Sequence, residues 1–175
     1  MKKLTFILLF VFVCLLLGWQ LSKSRTFQLF GDLVSRVDTT EPVVALTFDD
    51  GPMPGRTQTI LKILQDNDVK ASFFLVGEAV IAHPEETRMI IEAGHEVGNH
   101  MPRDEPSIEL PPQEFERQLG ESHELLSGFA PMRWFRPGSG HYDARMLKAV
   151  DRRGYRLALG SVYPFDPQIR WPWFS

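Results

Sequence analysis

The stretch Val43-Val44-Ala45-Leu46-Thr47-Phe48-Asp49-Asp50-Gly51-Pro52 constrains the fold more than any other. Six residues of aliphatic, β-branched or aromatic character run into two adjacent carboxylates, and a Gly-Pro pair stops the run. A continuous apolar run of this length between turn residues reads as a strand buried on both faces. The carboxylates then sit at the strand's carboxyl end, where α/β folds place their chemistry. Neighbours on a strand point to opposite faces, but at a frayed end a turn can bring both into one pocket. Two acids held together repel unless a cation or an arginine shares the site. An Asp-Gly-Pro turn with one local backbone bond is the plainer alternative.

Downstream, strand-like and helix-like segments alternate. Thr57 to Asn67 carries Ile60, Leu61, Ile63 and Leu64 at helical spacing, with Thr57 placed to cap it. Ala71 to Val76 is a second apolar run, ended by Gly77. Pro84 suits a first helical turn, Glu85 and Glu86 favour its positive end, and Gly94 ends that helix. Glu96 to His100 reads as a third strand, Pro111–Pro112 to Leu126 as a helix, and Trp134 to Arg136 as strand four. Asp143 to Arg153 is a further helix and Tyr155 to Val162 strand five. Such alternation specifies a parallel sheet with right-handed crossovers. Polar residues follow at least three strands: Asp49 and Asp50, then His100 and Asp104, then Arg136 and Ser139. Polar loops repeated along one rim are the (β/α) barrel pattern. A flavodoxin-like open sheet, the alternative, uses only one or two such loops. Five strands are too few to close a barrel of about eight, and Arg170 to Ser175 is aromatic with nothing after it. The chain therefore reads as an incomplete domain.

Residues 1–25 stand apart from the fold. Lys2 and Lys3 precede an apolar run from Leu4 to Leu21, broken only by Thr5, Gly18 and Gln20. This is a charged start followed by an apolar helix, a signal-anchor or a signal peptide, with the folded part outside the cytoplasm in either case. Residues 26–41 read as a linker and 42–175 as the domain. The one cysteine, Cys14, lies in the apolar run, so the domain has neither disulfides nor thiolate metal sites. A net charge of −3 and no arginine-rich run exclude a nucleic-acid partner, and no glycine-rich phosphate loop is present.

Three clusters meet on the expected rim: Thr47-Phe48-Asp49-Asp50-Gly51-Pro52, Gly94-His95-Glu96-Val97-Gly98-Asn99-His100 and Trp134-Phe135-Arg136-Pro137-Gly138-Ser139-Gly140. In this order they resemble the polysaccharide deacetylase family, the chitin and peptidoglycan N-deacetylases, over Val43 to about Val162. The resemblance implies a deformed (β/α) barrel, a divalent metal, usually zinc, and removal of acetyl groups from an N-acetylated polysaccharide. It implies Asp50 and His100 as metal ligands, Asp49 as the base that takes a proton from water, and Arg136 as the group holding Asp49. Amide hydrolysis suits such a set, because it needs an activated water and a polarised carbonyl.

The sequence departs from the family in three places. Where the family has a second histidine four residues after the first, this chain has Asp104, and Met101 follows His100. A carboxylate can replace imidazole as a zinc ligand, so the expected site is Asp50, His100 and Asp104. The family's Arg-Pro-Pro-Tyr-Gly appears as Arg136-Pro137-Gly138-Ser139-Gly140, and the extra glycine is expected to loosen that loop. The family's late proton-donating histidine has no counterpart: His123 and His141 stand elsewhere, and His83 and His95 read as structural. Asp166 and Trp171 are further candidates for the pocket. The departures leave a second expectation open, a non-catalytic relative that keeps only carbohydrate or metal binding.

Overall fold

The computed structural model describes residues 9–17 and 33–162. Residues 1–32 and 33–175 form separate compact units. In the first, residues 9–17 are helical with exposed side chains, and both ends of the predicted apolar segment lie outside the described residues. Among the described residues no helix is long and apolar enough to cross a membrane. Asp166 and Trp171 also lie outside them.

The second unit holds six strands: β1 (Leu33–Val34), β2 (Thr47–Gly51), β3 (Ser72–Leu75), β4 (Glu96–Asn99), β5 (Trp134–Phe135) and β6 (Arg156–Ala158). Its helices are α1 (Arg56–Asp66), α2 (Gly77–Ala82), α3 (Pro84–Glu92), α4 (Pro112–Ser127) and α5 (Ala144–Arg152). All neighbouring strands are parallel, in the order β1-β6-β5-β4-β3-β2. From β2 to β6 each strand lies beside the next in sequence. That one-way winding is the barrel pattern; a doubly wound sheet reverses its order part-way. Two elements stand outside the expectations from sequence: α2, and β1, which lies within the predicted linker and pairs with β6. Two residues are too few to show a period.

Strand periodicity divides the side chains between two faces. Phe73, Leu75 and Val97 pack with Leu61, Leu64, Val80, Ile90 and Leu126 of the helices. Phe135 and Leu157 pack with Phe115, Leu119, Met146 and Val150. The alternate residues, Thr47, Asp49, Phe74, Gly98 and Arg136, lie on the opposite face, where the site is built. Gly98 is needed there: a Cβ would sit 2.7 Å from the Phe74 ring.

Two local expectations change. The apolar run before the Asp pair is not buried on both faces. Pairing begins only at Thr47, and Val44 is 93% exposed. Among the described residues β2 is an edge of the sheet, and no second strand there covers Val43 and Val44. Thr57 does not cap α1 either. Gly55 holds that position, and the buried Thr57 hydroxyl accepts the Met53 backbone N–H at 2.9 Å. Asp143 does cap α5, accepting the N–H groups of Arg145 and Met146 at 2.9 and 3.0 Å.

Candidate functional site

At the end of β2 the register against β3 shifts between Phe48 and Gly51, so that one extra residue is inserted. Asp50 takes up the slack with φ 66°, the left-handed region. Such a bulge re-aims side chains. Here it lets both carboxylates serve the rim, Asp49 facing Arg136 and Asp50 facing His100.

Arg136 follows β5 and is 7% exposed. Its Nη1 donates to Asp49 Oδ1 at 2.6 Å and to Thr47 Oγ1 at 3.0 Å, while Nε donates to the Ala158 carbonyl at 3.2 Å. The guanidinium lies 3.9 Å from the centroid of the Phe74 ring. A buried arginine needs a counter-charge and partners for its N–H groups. Asp49, Thr47 and Ala158 supply them, and the π-face of Phe74 adds to the stabilisation. Asp49 is thereby fixed in one orientation with a second oxygen left over.

His100 is buried behind this pair. Its Nδ1 is 2.7 Å from the Arg136 carbonyl, and its Nε2 is 3.3 Å from Asp50 Oδ1. A carbonyl can only accept, so Nδ1 carries the hydrogen. In the neutral ring Nε2 is then a bare lone pair facing a carboxylate. Two acceptors at that distance repel, and a positive species between or beside them relieves the repulsion: a metal ion, or a proton at a pH where the ring is charged. Burial alone would push the His100 imidazole down, but its bond to Asp50, the Asp49 charge and the Arg136 carbonyl together raise it above its ordinary value. The His100 bond holds Asp50 below the usual carboxylate range against the opposing effect of burial. A carboxylate oxygen and an imidazole nitrogen of fixed tautomer also suit a divalent cation, as two of its ligands.

Asp104 does not join them. Among the described residues no group of three His, Cys, Asp or Glu side chains is arranged to hold a metal. The reason lies in the backbone after His100. Met101 is buried with φ 68°, and the carbonyls of Met101 and Pro102 accept the Gly77 and Glu78 N–H groups at 3.0 and 2.9 Å. The chain is thus tied to the start of α2 and bends outward, leaving Asp104 exposed. Its continuation folds over the third motif, where the Ser107 hydroxyl accepts the Gly138 N–H at 3.0 Å. A Cβ at Gly138 would lie 2.1 Å from the Glu105 carbonyl oxygen. The third-motif glycine therefore serves close packing rather than looseness, and the outward acid and the added glycine belong to one arrangement. Gly138→Ala is expected to cost about 1–3 kcal/mol, because the obstacle is backbone that must move; the midpoint of urea unfolding measures it.

Among the remaining histidines, His95 is buried and accepts the Ala71 N–H at Nδ1 at 3.3 Å, a structural role as expected. His141 is exposed. His123 contacts the Tyr155 hydroxyl at 2.8 Å. Three residues close to the site were given no role by the sequence. Thr47 and Phe74 are ordinary strand residues in the sequence, and only the sheet brings them to Arg136. Asn99 had one signal, its place immediately before His100.

A parallel sheet wound in barrel order, with an Asp–Arg pair and an Asp–His pair on one rim, defines the class: an α/β protein built as hydrolytic (β/α) barrels are. The chain belongs to the polysaccharide deacetylase family, which it matches over residues 36–158. It is 28% identical to a peptidoglycan-N-acetylglucosamine deacetylase of Bacillus cereus, across 79% of this chain and 65% of that protein. The solved peptidoglycan deacetylase PdaC of Bacillus subtilis superposes with a TM-score of 0.68 at 30% identity, covering 75% of this chain and 65% of that one. A family 4 carbohydrate esterase pseudoenzyme from Bacillus anthracis superposes at 0.65 with 30% identity, covering 69% and 43%. The chain thus spans less than two thirds of the length of each of these relatives.

Proposed function

We propose that this chain is a metal-dependent hydrolase that removes acetyl groups from an N-acetylated polysaccharide. One observation carries the reading: Asp49 is held by Arg136 at 2.6 Å while Asp50 and His100 Nε2 stand 3.3 Å apart on the same rim. Asp50 and His100 would hold the divalent cation, and the mixed carboxylate–imidazole set suits zinc. Such a cation, when bound, polarises the amide carbonyl and makes water a better nucleophile. Asp49 takes the proton of the attacking water as the oxygen–carbon bond forms. Arg136 keeps that carboxylate aimed at the water through its 2.6 Å bond to Asp49 Oδ1. The carbon–nitrogen bond then breaks, releasing acetate and the amine, which takes up the proton that Asp49 accepted from the water. The apolar run near the N-terminus supports a place outside the cytoplasm, tethered to the membrane or secreted, where such polymers lie.

A second reading rests on the position of Asp104. With two side-chain ligands instead of three among the described residues, the rim would bind a sugar or a cation without turnover, as suits a chain that also resembles a pseudoenzyme. Acetate release from N-acetylglucosamine oligomers by the full chain in detergent, with and without added zinc, separates the two. Release that requires zinc is the expected result. Zinc binding without acetate establishes the second reading, and release after complete chelation refutes the role given to Asp50 and His100.

A further inference from the structure

The mechanism leaves unused a hydrogen-bonded cluster on the helix side of β4. Asn99 and Ser122 are buried, as is Tyr155. Because side chains alternate along a strand, Asn99 points away from the rim to which His100 belongs. Asn99 Oδ1 accepts the Met101 N–H at 2.8 Å and the Ser122 hydroxyl at 2.8 Å. Its Nδ2 donates to the Tyr155 hydroxyl at 3.1 Å, and that hydroxyl lies 2.8 Å from His123 Nδ1. Both ends of the Asn99 amide are therefore engaged, and every partner but Met101 comes from a different element.

A buried polar cluster among Phe135, Leu119 and Val150 is costly unless it specifies something that apolar packing does not. Here it brackets His100. The bond from Met101 N–H to Asn99 Oδ1 passes across His100 as an Asx turn does. It closes on a methionine at φ 68°, a conformation this side chain seldom adopts. On the other side, the Asn99 carbonyl accepts the Arg136 N–H at 3.0 Å, and the His100 N–H donates to the Leu75 carbonyl at 3.0 Å. The carbonyl that receives His100 Nδ1–H belongs to Arg136, which the Asn99 backbone holds, while the Asn99 side chain holds the backbone that follows the ring.

We propose that Asn99, locked by Ser122 and Tyr155, is a positioning residue that sets the tautomer and aim of the His100 imidazole, so that a bare Nε2 faces Asp50. The inference rests on the reading of His100 as a ligand through Nε2, but its test does not pass through acetate release. Long-range proton–nitrogen NMR correlations of the metal-free full chain, at alkaline pH where the rings are neutral, report which nitrogen is protonated. His100 is identified by its loss in His100→Gln. In the wild type His100 is expected as the Nδ1–H tautomer. Asn99→Ala is expected to draw its two nitrogen shifts toward each other as the tautomers mix, and to weaken zinc binding by about tenfold. Tyr155→Phe and Ser122→Ala, which keep the shape of the cluster, are expected to do the same in smaller steps. Leu126→Ala, a cavity in the other half of the core, controls for lost stability and is expected to leave the His100 shifts alone. Unchanged His100 shifts in Asn99→Ala overturn the proposal. If that variant does not fold, unchanged shifts in both Tyr155→Phe and Ser122→Ala overturn it equally. So does an equal change in Leu126→Ala, since the cluster would then act only through stability. A chain that releases no acetate but shows the expected shifts refutes the proposed activity and leaves this inference standing.

Discussion

Asp49→Asn is expected to lower acetate release by about 100- to 10,000-fold, the range that a positioned general base supplies, while zinc binding changes little. The amide has the size of the carboxylate, and its oxygen can still accept from Arg136 Nη1, so the rim keeps its shape. What is lost is the capacity to take a proton. Asp49 is bonded to Arg136, and it is Asp50 that faces His100 Nε2. The two adjacent acids thus divide the work, and the variants should separate it. Asp50→Asn is expected to reduce release and zinc affinity together. Calorimetric zinc titration beside the acetate assay reads both. Unimpaired release by Asp49→Asn would remove that carboxylate from the reaction.

The second large effect is on stability. Arg136→Met is expected to cost about 3 kcal/mol, the lower end for removing one partner of a buried ion pair. Asp49 is the reason for the lower end: its side chain is 35% exposed, so water partly replaces the lost guanidinium. Thr47 and the Ala158 carbonyl lose a donor as well, and Phe74 loses the cation on its ring. Methionine fills much of the same volume, which limits the cavity. Arg136→Lys should recover only part of the loss, because one ammonium cannot reach Asp49, Thr47 and Ala158 with the fork of a guanidinium. Urea unfolding with an unchanged slope would show that the native state itself was destabilised.

The alternation of strands and helices was legible because period-two and period-3.6 patterns differ over ordinary element lengths. Asp143 capping α5, Gly77 ending the apolar run of β3 and Pro84 opening α3 all carried local signals. The limits of β2 did not. Val43 and Val44 look like core residues until the strand order shows that, among the described residues, β2 has a neighbour on one side only. β1 was too short to announce itself. At the site, Asp104 stands apart from Asp50 and His100. The resemblance made it a candidate by its position four residues after His100, but Met101 at φ 68° and the bonds to the start of α2 turn the chain outward.

The sequence by itself determined the parallel α/β architecture, the rim on which polar residues gather and the pairing of acids at the end of one strand. These follow from local patterns, in which each residue's propensity and periodicity act within a few neighbours. Only the tertiary structure decided which acid faces the arginine and which the imidazole, and that Asn99 stands behind His100. Those choices depend on a one-residue register shift, a left-handed backbone and contacts between residues as far apart as Asp49 and Arg136. No local pattern encodes such contacts, because they exist only once the sheet has closed the distance.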